Sequence, residues 1–217
     1  MPDSLAGLTL SQFSDRLASA EPVPGGGSAS AIAGSFASSL LTMVARLSAD
    51  RPKYAAFQKT HARALATGER GRTVLLELAD ADALAYAGFA AARKLPRDTA
   101  DEQAAREEAT RVAARASTEV PLTVVAECAR LLDDVAAMAG RSNLNAASDL
   151  EVAARLAAAA ARGAAANVLI NLPMVGDEDY AAQTTETLDG MLDGIERNVA
   201  LVAEIVGRGG LREPEPE

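Results

Sequence analysis

Two aspartates, Asp80 and Asp82, lie two residues apart in a long helical pattern, and only one of them can face the core. Positions two apart on an α-helix differ by about 200°. Asp80 groups with the polar Glu77, whereas Asp82 continues an apolar face. That face consists of Leu75, Leu78, Asp82, Ala85 and Phe89. A carboxylate placed there loses hydration, which raises its pKa. Asp82 is therefore a candidate general acid or base, and a buried ion pair with an arginine is the alternative.

A second candidate site is the turn at residues 21–28, where two prolines and the consecutive Gly25, Gly26 and Gly27 precede Ser28. A helix that starts here presents unhindered backbone N–H groups at the positive end of its dipole, an arrangement that binds carboxylates and phosphates. The turn matches neither the Walker pattern nor the dinucleotide fingerprint. Ligand binding and a tight corner therefore remain equal interpretations.

Asn167 and Asn171 stand at i and i+4 at the end of a helical stripe of small residues. Buried amides need hydrogen-bond partners, which would be either backbone groups across a helix interface or the polar edge of a heterocyclic ligand. Asn145, Ser148 and Asp149 lie where the same helix should begin. Capping explains Ser148, and the helix dipole explains Asp149, without a ligand.

A local group of cations, Arg51 and Lys53, lies beside Tyr54 on a chain whose net charge is −9. This cationic spot could attract the anionic tail of a substrate, with a solvated corner as the alternative.

The negative net charge argues against a nucleic-acid or anionic-membrane partner. One cysteine and one histidine exclude an intrachain disulfide and the multi-histidine metal sites, so we expect no metal. His61, in a polar stretch, is expected to be exposed.

The elements that must position these residues are helices. The 217 residues include 50 alanines and only seven aromatic side chains, which favours an all-α, single-domain bundle of six to eight helices over a sheet. Capping-box patterns begin at Thr9 and Thr99. The predicted helices cover 9–18, 28–48, 53–94 with a possible bend at Gly68 or Gly71, 99–118 with a boundary or kink at Pro121, a segment ending at 139, 148–172 and 177–206. The domain is expected to span 1–208, and 209–217 to form a disordered tail.

Two further expectations concern the surroundings of the protein. No signal peptide or membrane-spanning segment stands out, which favours a cytoplasmic protein. A face of small residues from Gly27 to Ala45 favours close packing against another helix, and a homodimer is the predicted use of that face.

Six motifs occur in one order along almost the whole chain. They are Pro22-x-Pro24-Gly25-Gly26-Gly27-Ser28, Asp80-x-Asp82, Leu95-Pro96-Arg97-Asp98-Thr99, Val120-Pro121-Leu122, Asn143-x4-Ser148-Asp149-Leu150 and Gly163-Ala164-x2-Asn167-Val168-x-Ile170-Asn171. Together they resemble the cyclodeaminase/cyclohydrolase family of folate enzymes. The stretch at 48–54 departs from that family's usual glycine-containing basic segment.

The resemblance implies an all-α homodimer that binds a tetrahydrofolate substrate, with or without a polyglutamate tail, and no other cofactor. It implies that Asp82 is the catalytic acid/base, with a folate site built around Gly25, Gly26, Gly27 and Ser28. The further substrate-binding candidates are Lys53, Asn145, Ser148, Asp149, Asn167 and Asn171. Hydrolysis of 5,10-methenyltetrahydrofolate is the favoured reaction. Formimidoyltetrahydrofolate cyclodeamination and a non-catalytic folate-binding dimer are the alternatives.

Overall fold

The computed structural model describes residues 4–215, and within that range the chain forms one helical domain without strands. The six α-helices are α1 (Leu10–Leu17), α2 (Gly26–Ser48), α3 (Gln58–Ala92), α4 (Ala100–Met138), α5 (Ala147–Asn171) and α6 (Glu178–Arg208). Short 3-10 helices cover Leu5–Gly7, Pro52–Phe57, Leu144–Ala146 and Leu172–Met174. The all-α prediction is confirmed.

The helix ends follow the local signals in the sequence in most places. The side chains of Thr9 and Thr99 form the predicted capping boxes at the starts of α1 and α4. Asp177 caps α6 through its carboxylate. Ser148, in contrast, does not cap α5, because that helix begins one residue earlier with Ala146 at the N-cap position. The capping explanation of Ser148 is therefore wrong.

A boundary or a kink was predicted at Pro121, and the boundary is wrong, because α4 runs on through this proline to Met138. A proline inside a helix removes one backbone N–H, so the carbonyl four residues earlier loses its donor. That carbonyl belongs to Ser117, and it accepts a hydrogen bond from the side chain of Asn171 on α5. A tertiary contact thus replaces the missing bond and lets the helix continue.

Helix α2 packs along α3 and α5, α4 packs on the same two helices, and α6 covers α4 and α5. Glycines permit the close approach of α3 to α2: a Cβ atom at Gly68 would lie 3.0 Å from the Ser38 carbonyl oxygen. A Cβ atom at Gly34 would likewise lie 3.2 Å from Cys128 Sγ. The small-residue face of α2 is therefore used inside the chain, so it does not by itself supply the expected dimer contact.

Helix α2 also has the length and composition of a membrane-crossing segment, with a mean hydropathy of 1.4 in its best window. No other helix among residues 4–215 reaches this level. The expectation that no segment would qualify is wrong by this criterion. Since 61% of the window is buried inside the bundle, the apolar composition has a use in the core of this fold.

Two further expectations differ from the structure. His61 is buried, and its Nε2 lies 2.8 Å from the Arg141 carbonyl oxygen, so the polar neighbours in the sequence misled the prediction of exposure. The tail was expected to be disordered, but residues 209–215 contact the bundle: Arg212 N donates to the Gly140 carbonyl at 2.7 Å, and Arg141 Nε donates to the Glu213 carbonyl at 2.6 Å. Residues 216–217 lie outside the described range.

Candidate active site

Asp82 lies ten residues before the end of α3 and points at the first turn of α2, where it is half-buried. Its Oδ2 is 2.8 Å from the hydroxyl of Ser28, and the Ser28 backbone N–H also donates to the carboxyl. Burial raises the pKa of Asp82, and the two hydrogen bonds from Ser28 offset part of that rise. The upward direction agrees with the prediction made from helical periodicity.

The hydroxyl of Ser28 has two neighbours that can accept its single proton. Its Oγ lies 2.8 Å from Asp82 Oδ2 and 3.0 Å from the Ala79 carbonyl oxygen. When Asp82 is ionised, Ser28 can donate to the carboxylate. When Asp82 is protonated, the acid can donate to Ser28 Oγ while Ser28 donates to Ala79. Both protonation states of Asp82 are therefore hydrogen-bonded, as a group that exchanges protons requires.

The glycine turn allows α2 to begin directly against this carboxyl. A Cβ atom at Gly27 would lie 2.7 Å from Asp82 Oδ2, closer than side chains tolerate. Gly25 is the N-cap residue and supplies no capping side chain. The first turn of α2 thus presents its backbone N–H groups and the positive end of its dipole on the side of Asp82.

Asn167 is the other predicted residue that lies beside the glycine turn. Its Nδ2 lies 3.7 Å from where a Cβ atom at Gly26 would be, and it donates to the Gly163 carbonyl of its own helix at 2.9 Å. The glycine turn, Ser28, Asp82 and Asn167 therefore come together where α2, α3 and α5 meet.

Asn171 has a different environment, although it follows Asn167 by one helical turn. Its Nδ2 donates to the Ser117 carbonyl on α4 at 2.8 Å. Of the two interpretations left open by the sequence, the contact across a helix interface describes this amide.

The remaining predicted residues lie at the opposite end of α2. The loop before α5 is attached there, because Asn143 N donates to Ser48 Oγ at 2.9 Å and Leu144 N to the Tyr54 hydroxyl at 3.3 Å. The predicted substrate-binding residues at this end are Lys53, Asn145, Ser148 and Asp149. A helix of 23 residues is about 33 Å long. Within one chain these four residues cannot join Asp82.

Sequence reasoning missed a cationic cavity of about 600 Å³ between the end of α3 and the start of α4. Its wall includes four arginines, Arg93, Arg97, Arg106 and Arg111, together with Phe89. Phe89 lies seven residues after Asp82, on the same face of α3 and about 10 Å further along it. The sequence feature that could have predicted this cavity is the group of arginines on both sides of the α3–α4 turn.

Between residues 4 and 215, no group of three or more His, Cys, Asp or Glu side chains could hold a metal ion.

Comparisons with known proteins agree with this architecture. A family model described as formiminotransferase-cyclodeaminase matches residues 9–190. A methenyltetrahydrofolate cyclohydrolase from Methylorubrum extorquens is 34% identical over 184 residues, which cover 85% of this chain and 88% of that protein. The solved formiminotetrahydrofolate cyclodeaminase of Thermotoga maritima superposes with a TM-score of 0.84 at 28% identity, covering 93% of this chain and 97% of that one.

The chain also matches longer proteins. A formimidoyltransferase-cyclodeaminase from Gallus gallus is 30% identical over 183 residues, which are 84% of this chain but 34% of that protein. The chain thus spans about a third of the length of these relatives. The match of the family model over most of the chain shows that the chain belongs to the formiminotransferase-cyclodeaminase family.

Proposed function

We propose that the chain is a methenyltetrahydrofolate cyclohydrolase that converts 5,10-methenyltetrahydrofolate to 10-formyltetrahydrofolate, with Asp82 as the general acid/base. The observation that carries this proposal is the half-buried Asp82 carboxyl, with its raised pKa and its hydrogen bonds from Ser28 at the start of α2. Similarity over 88% of the length of a cyclohydrolase supports the choice of reaction.

The reaction needs one group that first takes a proton and then gives it back. The methenyl bridge is an amidinium-like cation, so an ionised Asp82 stabilises it electrostatically. The same carboxylate accepts a proton from the water that adds to the bridge carbon. The protonated acid then donates to the nitrogen whose bond to carbon breaks. As that bond breaks, the hydroxyl on the bridge carbon becomes the formyl C=O and loses its proton, so the hydrolysis of the cation releases one proton to solvent. During this exchange, Ser28 can turn its hydroxyl from Asp82 toward the Ala79 carbonyl.

Cyclodeamination of formimidoyltetrahydrofolate is the second candidate, because the Thermotoga maritima protein of the same fold carries that name. In that reaction Asp82 would assist the attack of N10 on the formimino carbon and protonate the departing ammonia. The catalytic demand on the carboxyl is the same, so one pocket suits both substrates. A non-catalytic folate-binding protein remains the third interpretation.

Two assays on the purified protein distinguish the three candidate functions. Loss of methenyltetrahydrofolate absorbance reports the hydrolase reaction, and ammonia release reports cyclodeamination. We expect Asp82→Asn to lower the rate of the active reaction at least 100-fold. Glu77→Gln is the matched control, because Glu77 is an exposed carboxylate on the same helix. Wild-type rates in Asp82→Asn would overturn the role of Asp82, and folate binding without turnover would favour the third interpretation.

We also propose a homodimer that acts in the cytoplasm without a metal. Support for the dimer comes from large apolar side chains left exposed on α2, namely Phe36, Met43 and Leu47. Light scattering at micromolar concentration tests this, and a monomer would contradict it. Turnover after exhaustive chelation, compared with untreated protein, tests the metal-free reaction. Fractionation of cells that express the protein tests the location.

A further inference from the structure

A cavity between the end of α3 and the start of α4 carries an excess of positive charge and has no part in the function proposed above. Its wall includes Arg93, Arg97, Arg106 and Arg111, and it is here called the arginine cavity. Its volume of about 600 Å³ lies within the range of pockets that hold small molecules. Its size and charge therefore suit an anionic group of a small molecule.

Three of the four arginines have no carboxylate partner within the part of the chain that the structure describes. Arg111 forms an ion pair with Glu108. Arg93, Arg97 and Arg106 form none among residues 4–215. The chain has 30 acidic residues against 21 basic ones, so a shortage of carboxylates does not explain the unpaired guanidinium groups. Arg106 is also half-buried, where an unpaired charge is less well hydrated than in open solvent.

The charges around the arginine cavity suit a ligand with two negative charges. Glu107 stands in the wall and Glu108 lies on Arg111, so the four arginines keep an excess of two positive charges. The guanidinium of Arg93 lies over the ring of Phe89, 5.8 Å from its centroid, which restrains this cation at the cavity. Guanidinium groups bind carboxylates through paired N–H donors. A dicarboxylate is therefore the ligand that fits this balance.

Two helices lead from the candidate active site to the arginine cavity. On α3, Phe89 in the cavity wall follows Asp82 by seven residues on the same face. At the end of α5, Met174 in the same wall follows Asn167 by seven residues. Seven residues are two helical turns, about 10 Å along the axis. The arginine cavity therefore lies about 10 Å beyond the candidate active site, where α3 and α5 both end.

A folate carries two carboxylates at this distance from the carbon that reacts. An aminobenzoyl ring and an amide join the bridge nitrogen to a glutamate, and ordinary bond lengths place the α-carboxylate of that glutamate about 10 Å from the bridge carbon. The γ-carboxylate lies a few bonds further on. When the bridge carbon lies at Asp82, an extended substrate therefore reaches the arginine cavity with its glutamate.

We propose that the arginine cavity binds the two glutamate carboxylates of the folate substrate, and that Arg97 and Arg106 make the protein prefer substrates that carry glutamate. The inference rests on the proposed folate reaction and assigns this specificity to residues of the same chain as Asp82. Because the two arginines lie about 10 Å from the reacting carbon, their contacts with the carboxylates are the same in the bound substrate and in the transition state. They therefore lower KM and leave kcat unchanged.

Two substrates that differ only in the glutamate test this specificity. They are 5,10-methenyltetrahydrofolate and the corresponding methenyltetrahydropteroate, which ends at the benzoate. We expect Arg97→Ala/Arg106→Ala to raise KM for the folate at least tenfold, while turnover of the pteroate stays unchanged and shows that the variant is folded. Arg155→Ala/Arg162→Ala removes two charges from exposed positions on α5 and should change neither KM. An unchanged KM for the folate, or an equal loss with both substrates, would overturn the proposal.

Binding measured without turnover separates this inference from the proposed function. The probe is p-aminobenzoylglutamate, the part of folate from the bridge nitrogen onward, titrated calorimetrically against the wild-type protein and Arg97→Ala/Arg106→Ala. We expect the variant to bind the probe at least tenfold more weakly. Equal affinity of the two proteins, or inorganic phosphate bound as tightly as the probe, would overturn the assignment to glutamate. A protein that bound the probe through these arginines but turned over no folate would contradict the proposed function alone.

Discussion

Asn171 Nδ2 donates a 2.8 Å hydrogen bond to the Ser117 carbonyl oxygen, which is the carbonyl that Pro121 leaves without a helical donor. The two residues are 54 positions apart in the chain. This bond allows α4 to continue through a proline and fixes the end of α5 against it. A residue that the sequence places among the ligands is thus part of the scaffold beside the site.

The first prediction concerns this bond. Asn171→Ala leaves the Ser117 carbonyl unpaired, and we expect the free energy of unfolding to fall by about 1–3 kcal/mol. Pro121→Ala restores a backbone N–H at position 121, which can donate to the Ser117 carbonyl as in a regular helix. In that background the cost of Asn171→Ala should fall below about 1 kcal/mol, as measured by urea unfolding in a double-mutant cycle. Equal costs in both backgrounds would show that the amide has another role.

The second prediction concerns the pKa of Asp82. The Ser28 side chain holds this pKa lower than burial alone would. Ser28→Ala should therefore raise the pKa and move the acidic limb of the kcat/KM profile to higher pH. Ser35→Ala is the control, because Ser35 is a buried serine of the same helix whose hydroxyl donates to the Ile32 carbonyl. An unmoved limb in Ser28→Ala would mean that the limb reports another group.

The third prediction concerns the contact between the glycine turn and Asp82. Gly27→Ala introduces a Cβ atom against the carboxyl, which must then move away from Ser28. We expect kcat to fall at least 100-fold, since displacement of a catalytic group by about 1 Å has costs of this size. Gly88→Ala is the control: it lies in α3 with open space around it and should keep its activity. Full activity of Gly27→Ala would contradict a role for Asp82 in the reaction.

The orientation of Asp82 could be predicted because it depends on the helical period alone. The same holds for the capping boxes at Thr9 and Thr99, where the residues that interact are three positions apart. The continuity of α4, in contrast, depends on a partner 54 residues away, and the burial of His61 depends on the Arg141 carbonyl 80 residues away. Local patterns contain no information about such contacts. For the same reason the sequence placed Lys53 with the glycine turn, although α2 separates them within one chain.

The last prediction concerns stability and follows from the direction of the Asp82 pKa. Because the pKa is higher in the folded state, the folded chain binds more protons than the unfolded chain at pH values between the two pKa values. The resulting stabilisation is complete below the unfolded pKa of about 4 and is lost as the pH rises through the folded value. Asp82→Asn removes this dependence and the cost of a half-buried charge.

We therefore expect Asp82→Asn to be more stable than the wild-type protein at pH 7, by about 2–4 °C in Tm for each kcal/mol gained. The difference should narrow as the pH is lowered toward 4, because the wild-type carboxyl then becomes protonated. Calorimetric melts of both proteins at several pH values measure this, with Glu77→Gln as the exposed control. A variant that is less stable at neutral pH would mean that the hydrogen bonds from Ser28 outweigh the desolvation of the carboxylate. Active-site residues commonly lower the stability of the folded state, and we expect Asp82 to do so in this chain.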